Sequence, residues 1–255
     1  MKKKLLYLFS ALLVLTSCSN DVTREDEDVI VVAPVPVPVP VSQILLTKMI
    51  EKNANGTTRT IIYTYDANKI VSQLYNNTKE GIYYTYTGDL ITKMEFKLAD
   101  GTVEQINTYK YDANKKLTEF SRTQPGQEDW DSKDTYVYNA DGTVSVYDED
   151  GFKNSTITFL NGEVSEIVST NSPNFKYTHD TKNNPEKNIL GMNKIAFTDG
   201  EGNGILHNII TEISSYGDDT TTTTKTSKMT YNKDDYPVKS FDNFEDAGTT
   251  TEYFY

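Results

Sequence analysis

Polar and apolar positions alternate with period two along most of the chain, and one alternating stretch recurs. Tyr63-Thr64-Tyr65-Asp66-Ala67-Asn68-Lys69-Ile70 returns as Tyr109-Lys110-Tyr111-Asp112-Ala113-Asn114-Lys115-Lys116. Side chains alternate across a strand, so each tyrosine pair presents two rings on one face. Asp then bonds the backbone two residues on, and Asn tolerates the left-handed conformation of a tight reversal. The apolar residues that follow begin a return strand, which makes the unit a hairpin. The frame fits Tyr136-Val137-Tyr138-Asn139-Ala140-Asp141 without a gap, and shorter copies lie at Tyr84-Thr85-Tyr86-Thr87-Gly88-Asp89 and Ile157-Thr158-Phe159-Leu160-Asn161-Gly162. A looser copy begins at Met229. Steps of 21, 25 and 27 residues separate Asp66, Thr87, Asp112 and Asn139, the length of one hairpin and its connection.

These repeats predict an all-β fold: a large, strongly curved antiparallel meander sheet of hairpin repeats of about 20–27 residues, a dozen or so strands in all, with the tyrosine side the more enclosed. The rhythm breaks from Asp180 to His207. There Asn183 or Asn184 can cap a turn begun by Pro185, and Ile189, Leu190, Met192, Ile195 and Phe197 supply apolar surface, so one short helix or compact loop is expected near 183–195. Alternation resumes at Ile209 and continues to Tyr255. A lipid-facing barrel is disfavoured, because the strands pair tyrosine or aliphatic residues with Thr, Lys, Ser and Glu and carry no continuous apolar face.

The amino terminus follows another logic. Lys2, Lys3 and Lys4 precede an apolar run from Leu5 to Leu15 that is too short to span a bilayer, so residues 1–17 read as a lipoprotein signal peptide. Leu15-Thr16-Ser17-Cys18 resembles a lipobox, which makes Cys18 the lipid attachment site. Residues 18–41 form a lipidated tether that begins with an acidic tract from Asp21 to Asp28 and ends in Pro34-Val35-Pro36-Val37-Pro38-Val39-Pro40, a polyproline II spacer. Residues 42–255 are left as one β-repeat domain.

The tyrosine-aspartate frame resembles the YD, or RHS-like, repeat, and the whole chain is similar to Bacteroidetes-type cell-surface lipoproteins that carry degenerate copies of it. The resemblance covers roughly Ile61 to Tyr255. It implies a β-rich repeat fold and carries no catalytic or binding residue across. In such lipoproteins acidic residues after the lipidated cysteine resemble an export tag, so the expected place is the outer membrane, lipid-anchored and surface-exposed.

Charge narrows the choice of partners. The chain stands at −12 and residues 42–255 at −11, which disfavours nucleic acid and anionic lipid. The expected partners are the outer-membrane lipid that holds Cys18 and a glycan or protein ligand. Cys18 is the only cysteine, so the chain forms no internal disulfide and has no thiol nucleophile once that sulfur carries lipid. His179 and His207 lack metal-ligand spacing, no nucleophile elbow is present, and no catalytic residue is assigned. The carboxylates of 128–131 and 148–150 read as solvated turns.

The tyrosines Tyr63, Tyr65, Tyr84, Tyr86, Tyr109, Tyr111, Tyr136 and Tyr138 read first as a sheet core and second as a ligand platform, with Trp130 as an exposed anchor. Asp199, Glu201 and Asn203 occupy positions 1, 3 and 5 of a calcium-type loop with Gly204 at 6, but Ile210 stands where an EF-hand needs Glu. They are at most a non-EF-hand Ca2+ site; no other cofactor is expected. Asp219-Thr220-Thr221 resembles an O-glycosylation motif, with Thr220 as the acceptor.

Overall fold

A computed structural model describes residues 43–217, 221–244 and 247–255. The signal peptide, Cys18, the 18–41 tether and Thr220 lie outside the described residues. Sixteen strands run in chain order: β1 (Lys48–Asn53), β2 (Thr58–Asp66), β3 (Lys69–Tyr75), β4 (Gly81–Thr87), β5 (Leu90–Lys97) and β6 (Val103–Tyr111). Next come β7 (Leu117–Thr123), β8 (Ser132–Tyr138), β9 (Val144–Tyr147), β10 (Lys153–Leu160) and β11 (Glu163–Ser169). The last are β12 (Asn174–His179), β13 (Ile209–Ser215), β14 (Thr222–Tyr231), β15 (Pro237–Phe244) and β16 (Ala247–Phe254).

Every strand pairs antiparallel with its neighbours in sequence, as a meander requires. The sheet is not open, however. β1 pairs with β16 from Lys48 opposite Phe254 to Asn53 opposite Thr249, which closes a sixteen-stranded barrel. Closure removes both edges of a sheet this wide, and those edges would otherwise expose a row of unpaired backbone groups.

The repeat is a bulged hairpin. In the β2–β3, β4–β5, β6–β7, β10–β11 and β14–β15 pairs the register slips by one residue just before the second ring position, at Tyr65, Tyr86, Tyr111, Phe159 and Tyr231. The bulge turns two residues three apart to the same side. Leu117 and Phe120 are both fully buried, as is Ile70, with Gln73 buried beside it. Asp112 accepts backbone N–H bonds from Asn114 at 2.8 Å and Lys116 at 2.9 Å, the Asx turn expected from sequence. The left-handed residues, however, are Lys115 (φ 59) and, in the shorter β2–β3 turn, Ala67 (φ 54); Asn114 and Asn68 are not among them. In the longer turns the third residue after the Asx takes that conformation, Lys115 after Asp112 and Gly142 after Asn139.

A ring of sixteen strands encloses a lumen wider than side chains alone can fill. Here the segment 180–208, between β12 and β13, fills part of it. It is a compact run of turns with one short 3-10 element, Met192–Lys194, so the helix alternative is not realised. A helix would need its own N–H groups, but Asn183 N–H donates to Asp235 O, Asn184 N–H to Leu206 O and Leu190 N–H to Asn68 O. Gly191, left-handed at φ 80, then lets the chain pass the β4–β5 turn, where a Cβ would sit 3.0 Å from the Asp89 carbonyl.

Candidate functional site

The repeat tyrosines face the lumen. Tyr63, Tyr109 and Tyr136 are buried, while Tyr65, Tyr84, Tyr86, Tyr111 and Tyr138 are half-buried and pack on the same two clusters. The second tyrosine of a pair ties repeats together through backbone groups. The Tyr111 hydroxyl donates to Ile91 O at 2.7 Å, that of Tyr65 to Leu46 O at 2.7 Å, and that of Tyr86 to Leu190 O at 2.9 Å while accepting from Ile70 N–H at 3.2 Å. The first tyrosine of a pair donates its hydroxyl to methionine sulfur, Tyr63 to Met49 Sδ at 3.0 Å and Tyr109 to Met94 Sδ at 3.1 Å. Burial pushes the Tyr86, Tyr109 and Tyr138 phenols up to about 12, so they stay neutral hydrogen-bonding groups.

The lumenal segment is seated on this wall. Asn188 Nδ2 donates to Ile44 O at 2.8 Å and to the Tyr236 hydroxyl at 2.7 Å. Phe197 sets its edge against Tyr136 and Phe159, with ring centres at 6.0 and 5.3 Å. The returning limb is gathered by Glu163, whose buried carboxylate accepts N–H bonds from Ile205, Leu206 and His207 at 2.7–2.8 Å.

Between wall and segment lies a cavity of about 290 Å³. The wall contributes Gln73, Tyr84, Met94, Asn107 and Tyr109; the segment contributes Glu186, Met192, Ala196, Thr198, Asp199, Glu201 and Asn203. Two of the tyrosines and all three calcium-loop residues singled out in the sequence therefore meet in one space. Asp199, Glu201 and Asn203 are exposed and form its open side. Asp199 is committed to Arg122, whose Nη1 reaches both carboxylate oxygens at 3.0 Å. Among the described residues no group of three or more His, Cys, Asp or Glu is placed to hold a metal ion. Glu186 accepts from Gln73 Nε2 at 3.3 Å, and burial raises its carboxyl to about 7.

The other sequence candidates lie elsewhere. Tyr138 lines a second cavity of about 320 Å³ at the barrel mouth nearest the repeat turns, with Lys116 Nζ 4.6 Å from its ring centre. Trp130 ends the 3-10 turn Glu128–Trp130 on the opposite rim, 63% exposed, and Phe152 (71%) and Tyr216 (66%) stand on connections of that rim. Phe152 and Tyr216 escaped the sequence reading; their signal was an aromatic beside Gly151 or Gly217 at the edge of a strand. The two histidines, assigned no metal or catalytic role from sequence, meet at a shared partner. Both converge on Glu163, His207 Nδ1 at 3.1 Å and His179 Nε2 at 3.8 Å, and burial lowers the His179 pKa. Their signal was that they flank the break in rhythm.

The outer wall carries ion pairs along several strands, among exposed apolar residues such as Val137, Val168 and Phe241. Lys110 lies between the inward Tyr109 and Tyr111 and pairs with Glu119 at 2.6 Å, and Glu119 also pairs with Lys133 at 3.1 Å. Lys176, beside the buried Tyr177, pairs with Glu166 at 3.2 Å, and Glu95 lies between Lys93 and Lys97. Mid-strand ion pairs of this kind are costly against hydrocarbon.

No family model matches the chain, and no curated protein matches it. Among solved structures it is similar to a porin-like protein from Bacteroides uniformis, with 15% identity, 82% of this chain and 96% of that one covered, and a TM-score of 0.48. A porin-like protein from Bacteroides vulgatus gives 13% identity, 84% and 99% coverage, and a TM-score of 0.48.

Proposed function

We propose that this chain is a lipid-anchored, non-enzymatic binding protein of the outer membrane, displayed at the cell surface, whose lumenal cavity takes the end of a glycan. The supporting observation is the convergence of Tyr84, Tyr109, Gln73, Asn107 and Asn203 around one space. Ring surface suits the CH faces of a sugar, and amides that both donate and accept suit its hydroxyls. A volume of about 290 Å³ is at the small end for a ligand pocket, enough for one or two sugar rings. The anchor reading rests on Cys18 and the leader before it.

Full-length protein, extracted in detergent, is expected to be retained on a glycan array. Tyr109→Phe and Asn107→Ala should weaken retention while Trp130→Ala leaves it intact. Retention lost only in Trp130→Ala or Phe152→Ala would move the ligand to the rim, and cleavage of the captured glycan would make the protein a hydrolase. Metabolic palmitate labelling that persists in Cys18→Ser would overturn the anchor.

A further inference from the structure

We infer that the lumenal cavity selects a ligand bearing a protonated amine, seated on the carboxylate of Glu186 between that carboxylate and the ring of Tyr84. This inference rests on the glycan reading above and narrows it to amino sugars.

Glu186, half-buried, is carried to the cavity by the segment 180–208. Its hydrogen-bond partner there is one neutral amide, Gln73 Nε2, at the long distance of 3.3 Å. No Lys, Arg or His lines the cavity. Arg122, beside the cavity, has its Nη1 engaged by both oxygens of Asp199. A carboxylate out of bulk water and without a counter-charge is costly, and an ammonium supplies both the charge and hydrogen-bond donors. Tyr84 and Tyr109 add ring faces, which attract cations and not anions. A neutral sugar would leave Glu186 as it is; an acidic sugar would meet it and Glu201 with like charge.

The groups facing Glu186 are the phenols of Tyr63, Tyr65, Tyr84 and Tyr253, all held neutral by burial, the Gln73 amide, and across the cavity Asp199 and Glu201. Glu186 itself changes charge near neutrality, since burial raises it to about 7. Amine binding should weaken as pH falls from 8 to 6, because protonation removes the counter-charge.

Calorimetric titration of the full chain in detergent tests this with glucosamine, N-acetylglucosamine, glucose and propylammonium at pH 8 and pH 6. Glucosamine should bind about tenfold or more tightly than N-acetylglucosamine at pH 8, the scale of one charge-assisted bond. Glu186→Gln should remove the preference and its pH dependence while thermal unfolding shows an intact fold. Equal affinities for the three sugars would overturn the amine inference and leave the glycan reading standing. Binding of propylammonium with no sugar bound would support the amine site and remove the glycan, and no binding of any probe would overturn both.

Discussion

Glu163 and His207, 44 residues apart in sequence, meet through two bonds: the carboxylate accepts the His207 backbone N–H at 2.8 Å and stands 3.1 Å from its Nδ1. The same carboxylate takes the N–H groups of Ile205 and Leu206, so one buried side chain closes the return of the lumenal segment onto the wall. Glu163→Ala leaves three N–H groups without that acceptor. The expected loss is about 3–5 kcal/mol, a fall of roughly 6–20 °C in Tm for a domain of this size. Glu163→Gln keeps one acceptor oxygen and should lose about half as much. Calorimetry on the two variants checks the order.

Glu186 and His179 give stability a pH dependence with two limbs. The folded pKa of Glu186 is raised from 4.5 to about 7, so its contribution is fully present below 4.5 and is lost as pH rises through 7. The loss is at most roughly 3 kcal/mol. Glu186→Gln should therefore gain stability over the natural chain as pH rises from 5 to 8. His179 runs the other way. Its folded pKa is lowered by burial, so stability is full above its ordinary 6.5 and declines as pH falls below that. Denaturant titrations at pH 5, 6.5 and 8 separate the limbs, and a Glu186→Gln gain that is equal at all three would contradict the assignment.

Much of the wall was legible in sequence, because Tyr-x-Tyr followed by an Asx turn encodes strand, face and reversal within eight residues. The bulges were not foreseen, although apolar pairs three apart mark them where a flat strand needs two: Ile91 and Met94, Leu117 and Phe120, Val164 and Ile167. Nor was closure. It depends on Lys48 finding Phe254, and neither end strand carries a residue that marks it as a partner for the other. The lumenal segment could be recognised as an interruption, but its conformation follows from anchors in distant turns, Asn68, Asp89 and Asp235, which local propensity does not contain. The cavity was hidden for the same reason: Tyr84 and Glu201 become neighbours only once the segment folds inward.

The tyrosine ties between repeats should be measurable one hydroxyl at a time. Tyr111→Phe keeps the ring and removes the bond to Ile91 O, a half-buried contact at 2.7 Å. The expected cost is about 1 kcal/mol, or roughly 2–4 °C in Tm. Tyr83→Phe serves as the control, because its hydroxyl donates to Lys79 O at an exposed site where water replaces the protein partner. A Tyr83→Phe loss as large as that of Tyr111→Phe would show that these ties do not carry the cohesion between repeats.

A transmembrane barrel turns its apolar residues outward and its polar ones inward; here Tyr109, Phe120, Tyr136 and Tyr177 face in, and Lys110, Glu119, Lys133 and Lys176 face out. Residues 42–255 expressed without the leader are thus expected to remain in aqueous buffer without detergent and to leave anionic or zwitterionic vesicles unbound in a flotation assay. The outer ion pairs themselves should be worth little, since exposed pairs contribute about 0–1 kcal/mol. Lys110→Ala should then shift Tm by no more than about 2–4 °C. Co-flotation of the anchorless barrel with vesicles would mean that the ion-paired wall is not the face turned to solvent, and the water-facing reading would fall with it.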